Sequence, residues 1–168
     1  MGLYPGEIEQ QAAAIIATYR DLGWMITTAE SCTGGLIAGA LTEIAGSSAV
    51  VDRGFVTYTN QAKIDLIGVS SETLTAFGAV SKETALQMAQ GALIRSDAHV
   101  AVAVTGIAGP GGGSADKPVG LVHLALRSRS GQIDHRGMRY GDLGRDQVRL
   151  ATVRTALDML ALAAQVPA

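Results

Sequence analysis

The sequence predicts an α/β protein: a three-layer α/β/α sandwich around a mixed, mainly parallel sheet. Three observations predict it. Short apolar runs rich in β-branched residues alternate with segments whose apolar residues recur at helical spacing. Glycines and other small residues mark most of the junctions between them. A late pair of strand-like runs joined at Ser130-Gly131 adds a hairpin, which a purely parallel sheet would not contain. The 168 residues suit one domain spanning 1–168, with no linker or internal repeat in the sequence that would divide it.

The elements follow in order. Residues 6–22 form a helix, with Ile8, Ala12, Ile15, Ile16 and Tyr19 on one side and Gly23 to end it. Trp24 to Thr28 is a short strand. Thr33 to Ile44 is a helix whose Ala38, Gly39 and Ala40 permit close packing on a sheet. Ala49 to Thr59 is a strand, bent at Gly54. Asn60 to Ile67 is a short helix capped by Thr59 or Asn60, and Ser71 to Phe77 another, ended by Gly78. Ser81 opens a helix that runs to about Arg95. His99 to Thr105 is a buried strand, and 106–118 a loop rich in Gly and Pro. Val119 to Arg127 and Gln132 to Tyr140 form the hairpin. Residues 144–164 close the chain as a long helix.

Composition narrows the function classes. Hydrophobic residues at 48% against 17% charged exclude a disordered chain. A net charge of −2 without a basic run argues against nucleic acid as a partner. A single Cys excludes an internal disulfide and any CxxC motif. The start MGLYPGEIEQQ lacks the pattern of a signal peptide and does not complete a myristoylation motif. No apolar run is long enough to span a bilayer, so no membrane is expected and the cytoplasm is the expected location. A mean hydropathy of +0.25 leads us to expect a homo-oligomer. Histidines 99, 123 and 135 show no metal-ligand spacing, so no metal and no cofactor are expected.

Two polar loops follow apolar strands, where open α/β sheets place their sites. They are AESCTGG at 29–35 and TGIAGPGGGSADKP at 105–118. Both offer backbone N–H groups with little side-chain cover. A helix opening near Thr33 would aim free N–H groups at an anion or a developing oxyanion. The plainer alternative is that the glycines only make tight turns. No GxxxxGK[ST] occurs, so this is not a P-loop. The S-x-x-K string Ser114–Lys117 sits in a loop before Pro118, not on the helical turn that its chemistry needs.

Ser31 lies at a strand-to-helix junction and would need a base to act as nucleophile. Lys63 is the candidate base if burial lowers its pKa, and Tyr58 could relay the proton; a solvated helix lysine is the alternative. Cys32 is a rival nucleophile or a small buried thiol, and Glu30 could orient Lys63, touch a substrate hydroxyl or cap a helix.

Five strings then carry a resemblance: AESCTGG at 29–35, VTYTNQAKIDLIGV at 56–69, GAVSKETALQMAQGA at 78–92, VTGIAGPGGG at 104–113 and KPVGLVHLAL at 117–126. The sequence resembles the C-terminal domain of the competence/damage-inducible protein CinA, the nicotinamide-mononucleotide amidohydrolase family, over nearly its whole length. The resemblance implies a CinA-like fold and hydrolysis of the carboxamide of nicotinamide mononucleotide to nicotinate mononucleotide and ammonia, in pyridine nucleotide salvage. It implies a Ser–Lys mechanism without metal, with Ser31 as nucleophile, Lys63 as general base and Tyr58 as its hydrogen-bond partner. Glu30, Thr33, Gly34, Gly35, Thr105, Gly106 and Gly109 become expected substrate or oxyanion contacts. Thr59 stands where the family usually has Ser. Leu143 and Gly144 separate Gly141-Asp142 from Arg145, so either Arg145 or Arg149 is expected to meet the substrate phosphate. Many relatives carry an N-terminal domain resembling molybdopterin-binding proteins, which is not expected here, nor is any pyrophosphatase activity linked to it. Two alternatives remain: an enzyme of the same mechanism acting on another small amide, or a non-enzymatic protein tied to competence or DNA damage. The joint presence of Ser31, Tyr58, Lys63 and both loops opposes the second.

Overall fold

Helix α1 (Gly6–Leu22) buries Ile8, Ala12, Ile15, Ile16 and Tyr19, the positions that its periodicity marks. It stops at Gly23, whose φ of 68° lets its N–H reach back to the last-turn carbonyls. The computed structural model describes residues 2–166, so Met1, Pro167 and Ala168 of the expected 1–168 domain lie outside the described residues. Strand β1 (Ile26–Glu30) begins two residues later than expected. The Trp24 N–H still completes the helix end at the Tyr19 carbonyl, and Met25 N–H goes to the His99 ring, so ladder pairing starts only at Ile26. Next come α2 (Leu36–Thr42), one 3-10 turn at Ser47–Ala49 and strand β2 (Val51–Val56). Helices α3 (Asn60–Ile67), α4 (Ser71–Phe77) and α5 (Lys82–Ile94) follow, capped by the hydroxyls of Thr59, Ser70 and Ser81. Strands β3 (Val100–Gly106), β4 (Leu121–Ser128) and β5 (Ile133–Arg139) and helix α6 (Arg145–Ala163) complete the order.

The five strands lie in the order β2-β1-β3-β4-β5. The pairings β2–β1 and β1–β3 are parallel, and β3–β4 and β4–β5 antiparallel, so the sheet is mixed as expected, with parallel and antiparallel pairings in equal number. The two sheet faces differ in residue size. Ile26, Val100, Val102, Val104, Val122, Leu124 and Leu126 pack under α1, α2 and α6. Ala29, Ala101, Ala103 and Ala125 face α5. Period-2 alternation of large and small residues produces this split, and the alanine face brings α5 close to the sheet.

The same economy of side chains joins α3 to α5. A Cβ added at Gly91 would lie 1.7 Å from the Ile67 carbonyl oxygen, a backbone atom that cannot move aside cheaply. The Gly91→Ala variant is therefore expected to lose about 2 kcal/mol or more of unfolding free energy in urea titration, despite the ~1 kcal/mol gained in helix propensity. An unchanged midpoint would show that α3 and α5 separate freely.

Candidate active site

Register brings the two polar loops together. Ala29 pairs with Ala103 and Glu30 with Val104, and the Ser31 N–H continues the ladder to the Val104 carbonyl at 3.0 Å. The loops after β1 and β3 thus leave the sheet side by side. Helix α2 follows β1 on one face of the sheet and α3 follows β2 on the other, and a crevice lies beyond the carboxyl ends of β1 and β3.

Adjacent strand residues point to opposite faces. Glu30 turns toward α2 and is fully buried. Its carboxylate accepts from the Thr33 hydroxyl (2.6 Å), Ile37 N–H (2.9 Å), Ala38 N–H (3.0 Å) and Thr28 hydroxyl (3.3 Å). Of the roles expected for Glu30, the helix cap is the one this geometry shows. Helix α2 opens at Leu36 and not Thr33 because Gly34 and Gly35 take left-handed φ values that a right-handed helix cannot include, and Glu30 then supplies the anion at its N-terminus. Thr33 is fully buried with its hydroxyl on Glu30. Gly34 and Gly35 adopt φ of 58° and 102° and carry the chain through the turn. The crevice lining does not include these three, so any contact from this turn to a bound molecule would come from its backbone N–H groups.

Ser31 turns the other way, toward α3. Its Oγ lies 3.0 Å from Lys63 Nζ, and the amine also donates to the Thr57 carbonyl at 2.8 Å. Lys63 is only 1% exposed, and burial pushes its pKa down to about 8; the neighbouring Cys32 thiol works slightly against that shift. Cys32 has the reverse problem. Burial, aided by the charge of Glu30, pushes its thiol up to about 11, which keeps it protonated and a poor nucleophile.

The crevice has a volume of about 250 Å³ and is lined by Ser31, Cys32, Tyr58, Lys63, Ala79, Val80, Thr105, Gly106, Ala108 and Arg145. Tyr58 is 56% exposed, and its hydroxyl accepts from Arg145 Nη2 at 2.7 Å. It makes no hydrogen bond to Ser31 or Lys63 among the described residues, which corrects its expected place as the partner of the lysine. The α3 turn carries Lys63 inward while Tyr58, ahead of the Thr59 cap, stays at the rim. Arg145 also donates to the Gly109 carbonyl at 2.9 Å, so Gly109 contributes through its oxygen from behind the wall. Thr105 donates its hydroxyl to the Ala79 carbonyl at 2.8 Å and fixes the segment that leads to α5. Gly106 lies so close to β4 that an added Cβ would meet Val122 and the Leu121 carbonyl within 3 Å. Of the two arginines, Arg145 faces the crevice and Arg149 grips backbone carbonyls of the 31–35 turn. Sequence reasoning missed Ala79, Val80 and Ala108 as walls. The signal was the GAV at 78–80 just before the Ser81 cap, read only as the end of one helix and the start of another. Among the described residues no group of three or more His, Cys, Asp or Glu converges, and no helix is long and apolar enough to cross a membrane.

An open mixed sheet with a buried Ser–Lys contact at the carboxyl ends of two parallel strands defines the class. The CinA C-terminal domain model matches residues 8–163, and the chain belongs to that family. Relatives with curated names include the enzyme nicotinamide-nucleotide amidohydrolase PncC of Enterobacter agglomerans, 53% identical over 75% of this chain and 77% of that one. PncC of Escherichia coli strain K12 is 47% identical over 92% of this chain and 93% of that one. The CinA-like protein of Geotalea daltonii is 50% identical over 87% of this chain but only 35% of its own length. Among solved structures, the competence/damage inducible protein CihA from Agrobacterium tumefaciens superposes with a TM-score of 0.96 at 70% identity, over 99% of this chain and 100% of that one.

The buried amine makes stability depend on pH. Below pH 8 the folded chain must bury an ammonium, whereas above it the folded chain sheds a proton that the unfolded chain keeps until about 10.5. Stability contributed by Lys63 therefore rises with pH across that window. Relative to Lys63→Met, the wild type is expected to gain roughly 3 kcal/mol between pH 7 and pH 10.5 in urea unfolding. A constant difference would mean that the amine is hydrated in the folded state.

Proposed function

We propose that this protein is a nicotinamide mononucleotide deamidase that uses Ser31 as nucleophile and Lys63 as general base, without metal. The observation that carries the proposal is the 3.0 Å contact between Ser31 Oγ and a fully buried lysine amine whose pKa falls to about 8. The names of the PncC relatives supply the substrate class. The crevice supports it: Ala79, Val80 and Ala108 offer apolar surface to a flat pyridine ring, and Arg145 with Tyr58 at the rim offers charge-assisted donors to a phosphate.

The chemistry then runs in two halves. Neutral Lys63 takes the Ser31 proton while Oγ attacks the carboxamide carbon. The ammonium so formed gives that proton to the departing nitrogen, which leaves as ammonia. The neutral amine then deprotonates a water that attacks the acyl-serine, and the ammonium so formed returns that proton to Ser31 Oγ as nicotinate mononucleotide leaves. Thr57, whose carbonyl holds the amine at 2.8 Å, keeps its lone pair aimed at the serine. The product feeds pyridine nucleotide salvage in this reading, in a cytoplasmic and homo-oligomeric enzyme.

The test is ammonia release from nicotinamide mononucleotide with chelator present. Wild type is expected to release it, and Ser31→Ala to lose at least 10³-fold while keeping its fold. Failure of wild type would return the substrate to the wider class of small amides. The rate should rise with pH through about 8, as Lys63 loses its proton. Lys63→Arg should be as inactive as Lys63→Ala, because a guanidinium stays charged. A pH-independent rate between 6 and 9, or an active arginine variant, would remove Lys63 from the base role.

A further inference from the structure

Arg149 does not line the crevice, yet it grips the turn that carries Ser31. Its Nε donates to the Cys32 carbonyl at 3.1 Å and its Nη2 to the Thr33 carbonyl at 3.2 Å. In a trans peptide the C=O and N–H point in opposite directions, so a gripped carbonyl fixes the N–H of the next residue. The Cys32 carbonyl shares its peptide with the Thr33 N–H. The Thr33 carbonyl shares its peptide with the Gly34 N–H, which donates to the Ser31 carbonyl at 3.0 Å. That carbonyl in turn shares its peptide with the Cys32 N–H. Two hydrogen-bonded relays thus start at one guanidinium and end at the N–H groups of Cys32 and Thr33. Neither N–H meets a backbone acceptor among the described residues, and the Cys32 N–H has only its own thiol beside it.

We propose that Arg149 is a positioning residue that orients and polarises these two N–H groups as oxyanion donors for the reaction at Ser31. The proposal rests on Ser31 being the nucleophile. The N–H that follows a nucleophilic serine is a recurrent oxyanion donor, and Cys32 occupies that place. Hydrogen bonds in series strengthen one another, and a cation at the head of the chain strengthens the first link most. The twin glycine belongs to the same device. A Cβ added at Gly34 would come within 3.3 Å of Arg149 Nη2, so the missing side chain leaves room for the guanidinium. Leu36 N–H also donates to the Thr33 carbonyl at 3.1 Å, so that peptide stays held without Arg149. Among the described residues the Cys32 carbonyl has Arg149 alone. Loss of the arginine therefore loosens the donors more than it loosens the fold.

The experiment compares wild type, Arg149→Met, Arg149→Ala and Arg149→Lys. With nicotinamide mononucleotide, kcat is expected to fall ten- to a hundredfold in the methionine and alanine variants while KM stays within twofold. Lysine should fall between, since one ammonium cannot bridge both carbonyls in the same geometry. Added guanidinium should partly restore Arg149→Ala. A second readout is the rate at which a fluorophosphonate labels Ser31, because the tetrahedral adduct uses the same donors. It should slow in parallel with kcat. Should wild type label quickly but leave nicotinamide mononucleotide untouched, the substrate reading fails and the labelling rates still judge Arg149. A raised KM at constant kcat, or unchanged labelling in Arg149→Met, overturns the proposal. If thermal melts show the methionine and alanine variants unfolded, full kcat and labelling in Arg149→Lys overturn it.

Discussion

The arrangement depends on one buried carboxylate. Glu30 ends β1 and accepts four hydrogen bonds, two of them from the first free N–H groups of α2. A carboxylate sealed from water is tolerated only when its lone pairs are filled, and the helix N-terminus fills them. This anchors the start of α2 and fixes which way the end of β1 faces. Strand alternation then does the rest: with Glu30 committed to α2, Ser31 must look to the opposite face, where Lys63 waits on α3. A fully buried carboxylate thus sets the direction in which Ser31 faces.

Lys63 is the opposite kind of compromise. Its amine is as buried as the core, with two oxygen partners and no carboxylate bonded to it among the described residues. A carboxylate partner would hold it protonated; a carbonyl and a hydroxyl accept its hydrogen bonds while stabilising the charge much less, so burial prevails. The cost in stability at neutral pH is the condition for a lysine that can accept a proton. Cys32, one residue from Ser31, is excluded by the same burial, because removing water raises a thiol pKa while it lowers an amine pKa.

Helix α6 ties the two loops to each other. Arg145 and Arg149 stand one turn apart on its first turns. Arg145 holds the Gly109 carbonyl of the second loop and the Tyr58 hydroxyl, and Arg149 holds the Cys32 and Thr33 carbonyls of the first. Two glycine-rich segments that are loose by composition become one rigid mouth because their carbonyls share a helix.

The sequence by itself determined the layers and the chemical vocabulary. Periodicity placed every helix and strand within a few residues, since alternation and helical spacing are local properties. It singled out Ser31, Lys63 and the two loops, because polar residues interrupting apolar runs stand out along the chain. Tertiary structure decided which of these meet. The β1–β3 register set the loops side by side, and no local pattern encodes that pairing. Strand alternation would have sent Glu30 and Ser31 to opposite faces, yet which face held Lys63 was settled only by the packing of α3 on the sheet. The meeting of Tyr58 with Arg145, and of Arg149 with the Cys32 and Thr33 carbonyls, was decided in the same way. A long side chain can reach a carbonyl or a hydroxyl in several directions, and only the packed neighbours choose among them.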